Sequence, residues 1–423
     1  MSFLCNFLER SGYEVFSNHR DGLENRAIQL FRSRIDEQSY DQICLFGFAL
    51  EYYNLMKADA CVGFLNGRVP DEATVIKMGI AFASGIPVVL YKIDSRILFP
   101  NGDNTMIQGL SGDFSTVTKL ERLTREIQRK IKNYRKRKLG RMMDTRKWLS
   151  GYNLALFDLG QQISQILIES SLVPYDLDTW SDFTKIIEPV IEGLDTALLT
   201  NFRAHEDASS ALDQNRQYGR VYCSGPLFCP AEMRQMRLIS DILIEAGFTT
   251  YLPQQDGGEP YVIGSVGNPL AGSLISRPIV SFLNNVLFSL DVNEIVSCQY
   301  FVINLNGRTP DDGAMAEMGM AFAAGKPIVL YMDDLRAFSS KSVHPTVRTV
   351  AHLTPATSDV NELPGLILSS ARALATFGDN KYSERIPLII ENFLSKGAKW
   401  SRRLEGRTPP ENEMELWNQF DAD

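Results

Sequence analysis

The sequence predicts an α/β protein built from two similar parallel-sheet units in tandem. Two observations carry that expectation. First, the chain repeats itself: residues 66–96 (NGRVPDEATVIKMGIAFASGIPVVLYKIDSR) return 240 residues later at 306–336 (NGRTPDDGAMAEMGMAFAAGKPIVLYMDDLR), gapless and with 17 of 31 positions identical. A weaker match pairs FLERSGYEVFSNHRDG (7–22) with LIEAGFTTYLPQQDGG (243–258). Self-similarity on this scale means two copies of one structural unit. Second, each copy alternates short apolar strands with helical patterns, which implies a parallel sheet covered on both faces.

The elements of the second copy can be taken in order. Val221–Ser224 is a short apolar strand, Ala231–Ala246 an amphipathic helix, and Phe248–Leu252 strand-like. Ile279–Ser297 is helical and Phe301–Leu305 is a third strand. Asp311 or Asp312 caps a helix that ends at Gly325, and Pro327 opens the strand Ile328–Tyr331. In the first copy, Met1 falls inside what should be the first helix, so the strand and loop before it are missing: either the domain has lost them or the sequence begins late. Between the copies, Lys119–Lys147 is strongly basic and reads as a solvated helix face, Trp148–Leu199 has helical apolar spacing, and residues 205–219 are polar. The expected architecture is two flavodoxin- or Rossmann-like parallel-sheet domains with a helical connector. Its boundaries are 1–112 for a first domain, 113–219 for connector and linker, 220–400 for a second domain and 401–423 for a polar tail.

Composition narrows the function classes. The 423 residues carry a net charge of −8 with 44% hydrophobic and 22% charged residues, which excludes a mainly disordered chain. A surplus of acid argues against a nucleic-acid partner. The six cysteines form no CxxC pair, and with four histidines no zinc spacing can be assembled. No apolar run approaches the roughly 18 residues of a membrane span. Residues 1–20 lack the order of a signal peptide, and Glu9 and Glu14 argue against a transit peptide. A soluble cytoplasmic protein is the expectation.

Chemistry concentrates on one helix. Within GAMAEMGMAFAA (313–324) every residue is apolar or small except Glu317. A carboxylate in such surroundings loses hydration worth several kcal/mol unless something compensates. The first copy has Lys77 at the matched position in an otherwise retained helix, so the fold itself does not require the carboxylate. Asp311 stands six residues earlier, at the helix mouth, and Asp291 lies on the preceding helix; the first copy keeps Asp71 for the former and has Glu51 for the latter. Carboxylates that share a cleft push one another's pKa values apart, which suits one to be a nucleophile or base while another holds a proton.

VYCSGPLF (221–228), LPQQDG (252–257), Asp291 and DDGAMAEMGMAFAAGKP (311–327) together resemble the nucleoside 2-deoxyribosyltransferase family. The resemblance covers residues 220–350 and, more weakly, 1–112. It implies that Glu317 is the nucleophile, attacking C1′ of a 2′-deoxyribonucleoside to give a glycosyl ester that a second base or water then resolves. Asp291 and Asp311 would bind the base and handle its proton, Tyr222 would orient the nucleophile, and Phe228 would pack on the base. Gln255 and Asp256 fall in a loop that touches the base, on a looser match. Gly225 and Gly313 belong to the same binding motifs. No cofactor and no metal is implied; the expected partners are a deoxynucleoside and a free nucleobase.

One family residue sits in the other copy. Family enzymes are oligomers in which an Asn, in an N-x-M segment after the nucleophile, reaches a neighbour's sugar 5′-hydroxyl. After Glu317 the region reads SSKSVHPTVRT; after Lys77 it reads NGDNTMIQGLSG, where Asn104 matches. A pseudo-twofold pairing of the copies would therefore assemble one complete site and one dead one, an intramolecular pseudo-dimer that leaves further homo-oligomerisation open. An amide there favours a nucleoside over a 5′-monophosphate. Three functions stay open at this point: deoxyribosyl transfer between bases, an N-glycosidase of the same site, and a non-catalytic nucleoside-sensing or scaffolding protein.

Overall fold

The computed structural model describes residues 2–23, 37–67, 71–94, 104–137, 149–169, 216–257, 277–307, 310–334, 343–354 and 356–404. The first unit runs α1 (Ser2–Arg10), α2 (Glu37–Lys57), β1 (Cys61–Phe64), α3 (Glu72–Ala83), β2 (Val88–Tyr91), α4 (Thr105–Gly109), β3 (Thr116–Val117), α5 (Leu120–Arg137) and α6 (Gly151–Glu169). The second runs β4 (Arg220–Ser224), α7 (Pro230–Glu245), β5 (Thr249–Tyr251), α8 (Arg277–Ser297), β6 (Tyr300–Asn304), α9 (Asp312–Ala323), β7 (Ile328–Tyr331), α10 (Pro345–Val350), α11 (Leu363–Ala375) and α12 (Leu388–Leu404). The strands form two separate parallel sheets, ordered β1-β2-β3 and β5-β4-β6-β7. The chain is therefore α/β with two parallel sheets, as two Rossmann-like units require. Among the described residues no helix is long and apolar enough to cross a membrane.

The duplication is visible in the element bounds. α2 and α8, α3 and α9, and β2 and β7 begin and end at residues 240 apart. Capping repeats as well: Asp71 accepts from Thr74 N at 2.8 Å and Asp311 from Ala314 N at 2.8 Å, and the turns after the two helices carry Gly85 and Gly325 at φ +75° and +66°. Strands β2 (VVLY) and β7 (IVLY) are buried along their whole length, as sheets covered on both faces demand.

The stretch expected to be a connector contributes to the first unit. Thr116–Val117 pairs with Leu90–Tyr91 as the third strand of the first sheet. Leu123 and Ile127 of α5 bury against Val89, Tyr91 and Val117, while Arg122, Arg125 and Lys132 face solvent. Helix α6 packs along α2, as α12 packs along α8. Of the basic run, residues 138–148 lie outside the described residues, as do most of the expected linker and the polar tail. At the other end of the unit, Tyr13–Phe16 aligns with the start of β5 yet forms no strand. In the second unit β5 pairs with β4 alone, and among the described residues of the first sheet the strands are β1, β2 and β3.

The two units meet where α3 crosses α9. A Cβ on Gly79 would lie 2.3 Å from the Ala316 carbonyl oxygen, and one on Gly319 would lie 2.2 Å from that of Ile76. Gly79 matches Gly319 and Ile76 matches Ala316 in the repeat, so the contact is reciprocal about a pseudo-twofold axis. Helix α4 of the first unit packs on α8 and α9, and α10 of the second on α2 and α3. One continuous apolar cluster, from Phe46 and Phe82 to Phe288 and Phe322, fills the junction.

Candidate active site

Strand β4 alternates its side chains: Val221 and Cys223 enter the cluster under α7, while Tyr222 faces α8 and α9 and Ser224 shares its side. That face meets Glu317, which is 7% exposed on a helix of small residues. The Tyr222 hydroxyl lies 3.0 Å from Glu317 Oε1 and 3.2 Å from Asp291 Oδ1, so its single hydrogen can serve either carboxylate. Ser224 Oγ donates to Glu317 Oε2 at 2.6 Å. Both oxygens of the buried carboxylate are thus held by hydroxyls from one strand. Tyr222 is itself clamped between Tyr251 and Phe301, at ring separations of 5.3 and 5.5 Å.

Burial is the main cause that raises the Glu317 pKa well above the usual carboxylate range, and the charges of Asp291 and Asp311 push the same way; the Ser224 and Tyr222 hydrogen bonds oppose it. Burial also raises Asp311 to about 6, against the backbone N–H groups of Ala314 and Gly313 and with help from the charge of Glu232. Three carboxylates on one cleft, two of them with raised pKa values, form an arrangement costly to folding and suited to proton handling.

Asn104 arrives from the first unit. Its Oδ1 caps α4 by accepting from Met106 N at 2.8 Å, which orients the amide. A Cβ built on Gly313 would lie 2.9 Å from Asn104 Nδ2 and 3.1 Å from Asp311 Oδ2. Glycine at 313 therefore leaves room for the amide of one unit and the acid of the other at the same spot on α9. The structure brings together Glu317, Asp291, Asp311, Tyr222, Asn104 and Gly313.

The base-side candidates stand further out. Gly225, at φ +158°, lets the loop lie close: a Cβ there would meet Met236 Sδ at 2.6 Å and Asn304 Cβ at 2.9 Å. Glu232 holds this loop by accepting from Phe228 N at 2.8 Å and Cys229 N at 3.0 Å, and Phe228 is 57% exposed there. Asp256 accepts from Leu252 N at 2.8 Å and so serves its own turn, and Gln255 is exposed beside it. Neither is hydrogen-bonded to the carboxylate cluster; the chain that follows, 258–276, is outside the described residues. Sequence reading missed Ser224, although its place two residues after Tyr222 on a strand puts it on the same face. Among the described residues no group of three or more His, Cys, Asp or Glu side chains is placed to hold a metal ion.

The matched position in the first unit is arranged differently. Lys77 and Glu51 form a buried ion pair at 2.8 Å, where the second unit has Glu317 and Asp291. His344 stands at the mate of Asn104 and caps α10 by accepting from Thr346 N at 3.1 Å. No curated protein matches the chain. The nucleoside 2-deoxyribosyltransferase family model matches residues 221–364, the stretch that carries β4, Asp291, Asp311 and Glu317.

Proposed function

We propose that the protein transfers 2-deoxyribose between nucleobases through a covalent glycosyl ester on Glu317, with one composite site per chain. The observation that carries this reading is a buried carboxylate gripped by two hydroxyls and flanked by two further carboxylates, which no structural need of the helix explains. One oxygen of ionised Glu317 attacks C1′ as the N-glycosidic bond breaks, through an oxocarbenium-like transition state. The bonding pair leaves with the base, and a proton from Asp291 or Asp311 neutralises it. A second base then attacks C1′ from the opposite side, returns its proton to the acid and frees the carboxylate. Tyr222 ties these roles together: when Asp291 holds the proton it can donate to the phenol oxygen, and the phenol then donates to Glu317, so the nucleophile is ionised while the acid stays protonated. Asn104, its oxygen spent on the helix cap, offers Nδ2–H to the sugar's 5′ oxygen.

The test is intact-protein mass spectrometry after incubation with a 2′-deoxynucleoside, without acceptor. A deoxyribosyl adduct that maps to Glu317 supports the reading; a protein that binds nucleoside but gains no mass and releases no base is a sensor instead. Adding an acceptor base separates transfer, which yields a new nucleoside, from hydrolysis, which yields free deoxyribose.

A further inference from the structure

Asn104 can meet a substrate only if α4, an element of the first unit, is held in register on the second. Two contacts set that register. Gly109 closes the helix against Phe288, where an added Cβ would lie 2.2 Å from the ring. At the other end Thr105 Oγ1 donates to Asn284 Oδ1 at 3.1 Å. Asn284, Phe288 and Asp291 recur at spacings of four and three along α8, on one face, so a single stripe seats α4 and supplies the acid. The hydrogen-bonded pair belongs to one side of the pseudo-twofold only. At the 240-residue offset Thr105 matches Pro345 and Asn284 matches Cys44, neither of which can reproduce it. The ring is retained, since Phe288 matches Phe48. A contact needed merely to join the units would have no reason to appear only beside the complete site.

We propose that Thr105 and Asn284 are positioning residues, which act through Asn104 to fix how the 5′ end of the nucleoside is held. The inference rests on reading Asn104 as the donor to the sugar's 5′ oxygen. Neither residue touches the reacting atoms. Loss of their bond frees the first turn of α4 and lets the amide drift from its place beside Gly313 and Asp311, which weakens binding more than chemistry.

The test is steady-state kinetics of the full chain on 2′-deoxyadenosine or thymidine, whichever is turned over, and on the matching 5′-deoxy analogue. Thr105→Val should raise KM by roughly two- to ten-fold on the 5′-hydroxyl substrate with kcat little changed. The increase should vanish on the analogue, Thr105→Ser should restore the parent values, and the change should add nothing in an Asn104→Ala background. Asn284→Ala reaches the same bond from the other side and should give the same pattern. A KM increase equal on both substrates, full additivity with Asn104→Ala, or a lower melting temperature with unchanged kinetics would each overturn the proposal, leaving an interface contact. If Asn104→Ala itself fails to distinguish the substrates, the 5′ reading falls and takes the proposal with it.

Discussion

The two ends of the pseudo-twofold make opposite electrostatic choices on one backbone plan. At one end Glu317 faces Asp291, like charges in a buried setting, with the Tyr222 and Ser224 hydroxyls bonded to the Glu317 carboxylate. At the other Lys77 faces Glu51, and the pair satisfies itself. The neighbours follow suit. Asn104 sets its amide beside Gly313 of the Glu317 site, whereas His344 stands half-buried near Asp71 and Lys77, and desolvation holds its pKa down to about 4, so the ring is neutral. A second buried pair, Arg348 of α10 with Asp41 of α2, ties the same end shut across the junction. A closed ion pair contributes fold and leaves nothing to react; a frustrated carboxylate cluster is tolerated where chemistry repays it.

The sharpest way to break this comparison is to exchange the matched residues. Glu317→Gln keeps the shape and an acceptor for the hydroxyls but cannot form the ester, so transfer should fall by roughly three decades or more. Lys77→Glu sets two carboxylates together in the first unit, where no tyrosine among the described residues stands at the place of Tyr222, and should awaken nothing. Base release measured with both variants decides the matter: activity that survives Glu317→Gln, or that depends on residue 77, would show that the wrong end has been called active.

The second difference concerns stability. Lys77→Ala strands the buried Glu51 charge and should cost roughly 3–5 kcal/mol in urea unfolding, whereas Lys77→Met with Glu51→Leu should be near neutral. Turnover at the Glu317 site should change little in any variant that stays folded. Equal costs for the single and double changes would mean that the ion pair is not what holds this end closed.

Much of this asymmetry was legible in the sequence, and the rest was hidden for identifiable reasons. Gapless register at 240 residues foretold the matched helices, and the stray Asn in the wrong copy pointed to the amide now found beside Gly313. The Lys77–Glu51 pair was available too, since opposite charges stood at positions already matched to Glu317 and Asp291. The extent of the first unit was harder to see: β3 is two residues long, too short for any periodicity, and α5 shows so much charge outward that its buried stripe of Leu123 and Ile127 reads as a connector. Ser224 was overlooked because a serine in a short apolar strand resembles packing, and only the face it shares with Tyr222 gives it a role.

A smaller effect is expected at Ser224. Its hydroxyl stabilises the ionised form of Glu317, so Ser224→Ala should raise the nucleophile's pKa further. Less carboxylate is then ionised at a given low pH, and the acid limb of the kcat/KM profile moves upward. The loss should be on the order of ten-fold at the acid end and shrink as pH rises. A loss uniform across the profile would assign Ser224 to packing alone. The groups that face Glu317 from every side remain Asp291, Asp311 and Tyr222, and the limb reports them as a coupled set.

The subtlest contrast is at Asn104, where one substitution can keep the fold and reverse the chemistry. Its Oδ1 caps α4 and its Nδ2 faces the cleft, so Asn104→Asp preserves the cap and replaces the donor with an acceptor. A 5′-hydroxyl can still answer by donating its own hydrogen, so loss of the original bond should cost only roughly 0.5–1.5 kcal/mol in kcat/KM. A 5′-phosphate has no hydrogen to give and would be repelled. The added charge beside Asp311 should also drive that residue's pKa above its present value of about 6, which extends activity toward alkaline pH if Asp311 is the acid that protonates the leaving base. The measurement is the pH profile of Asn104→Asp against the parent, on nucleoside and on its 5′-monophosphate. An alkaline limb that stays in place while nucleoside affinity drops would assign proton delivery to Asp291 and leave Asp311 as the cap of α9.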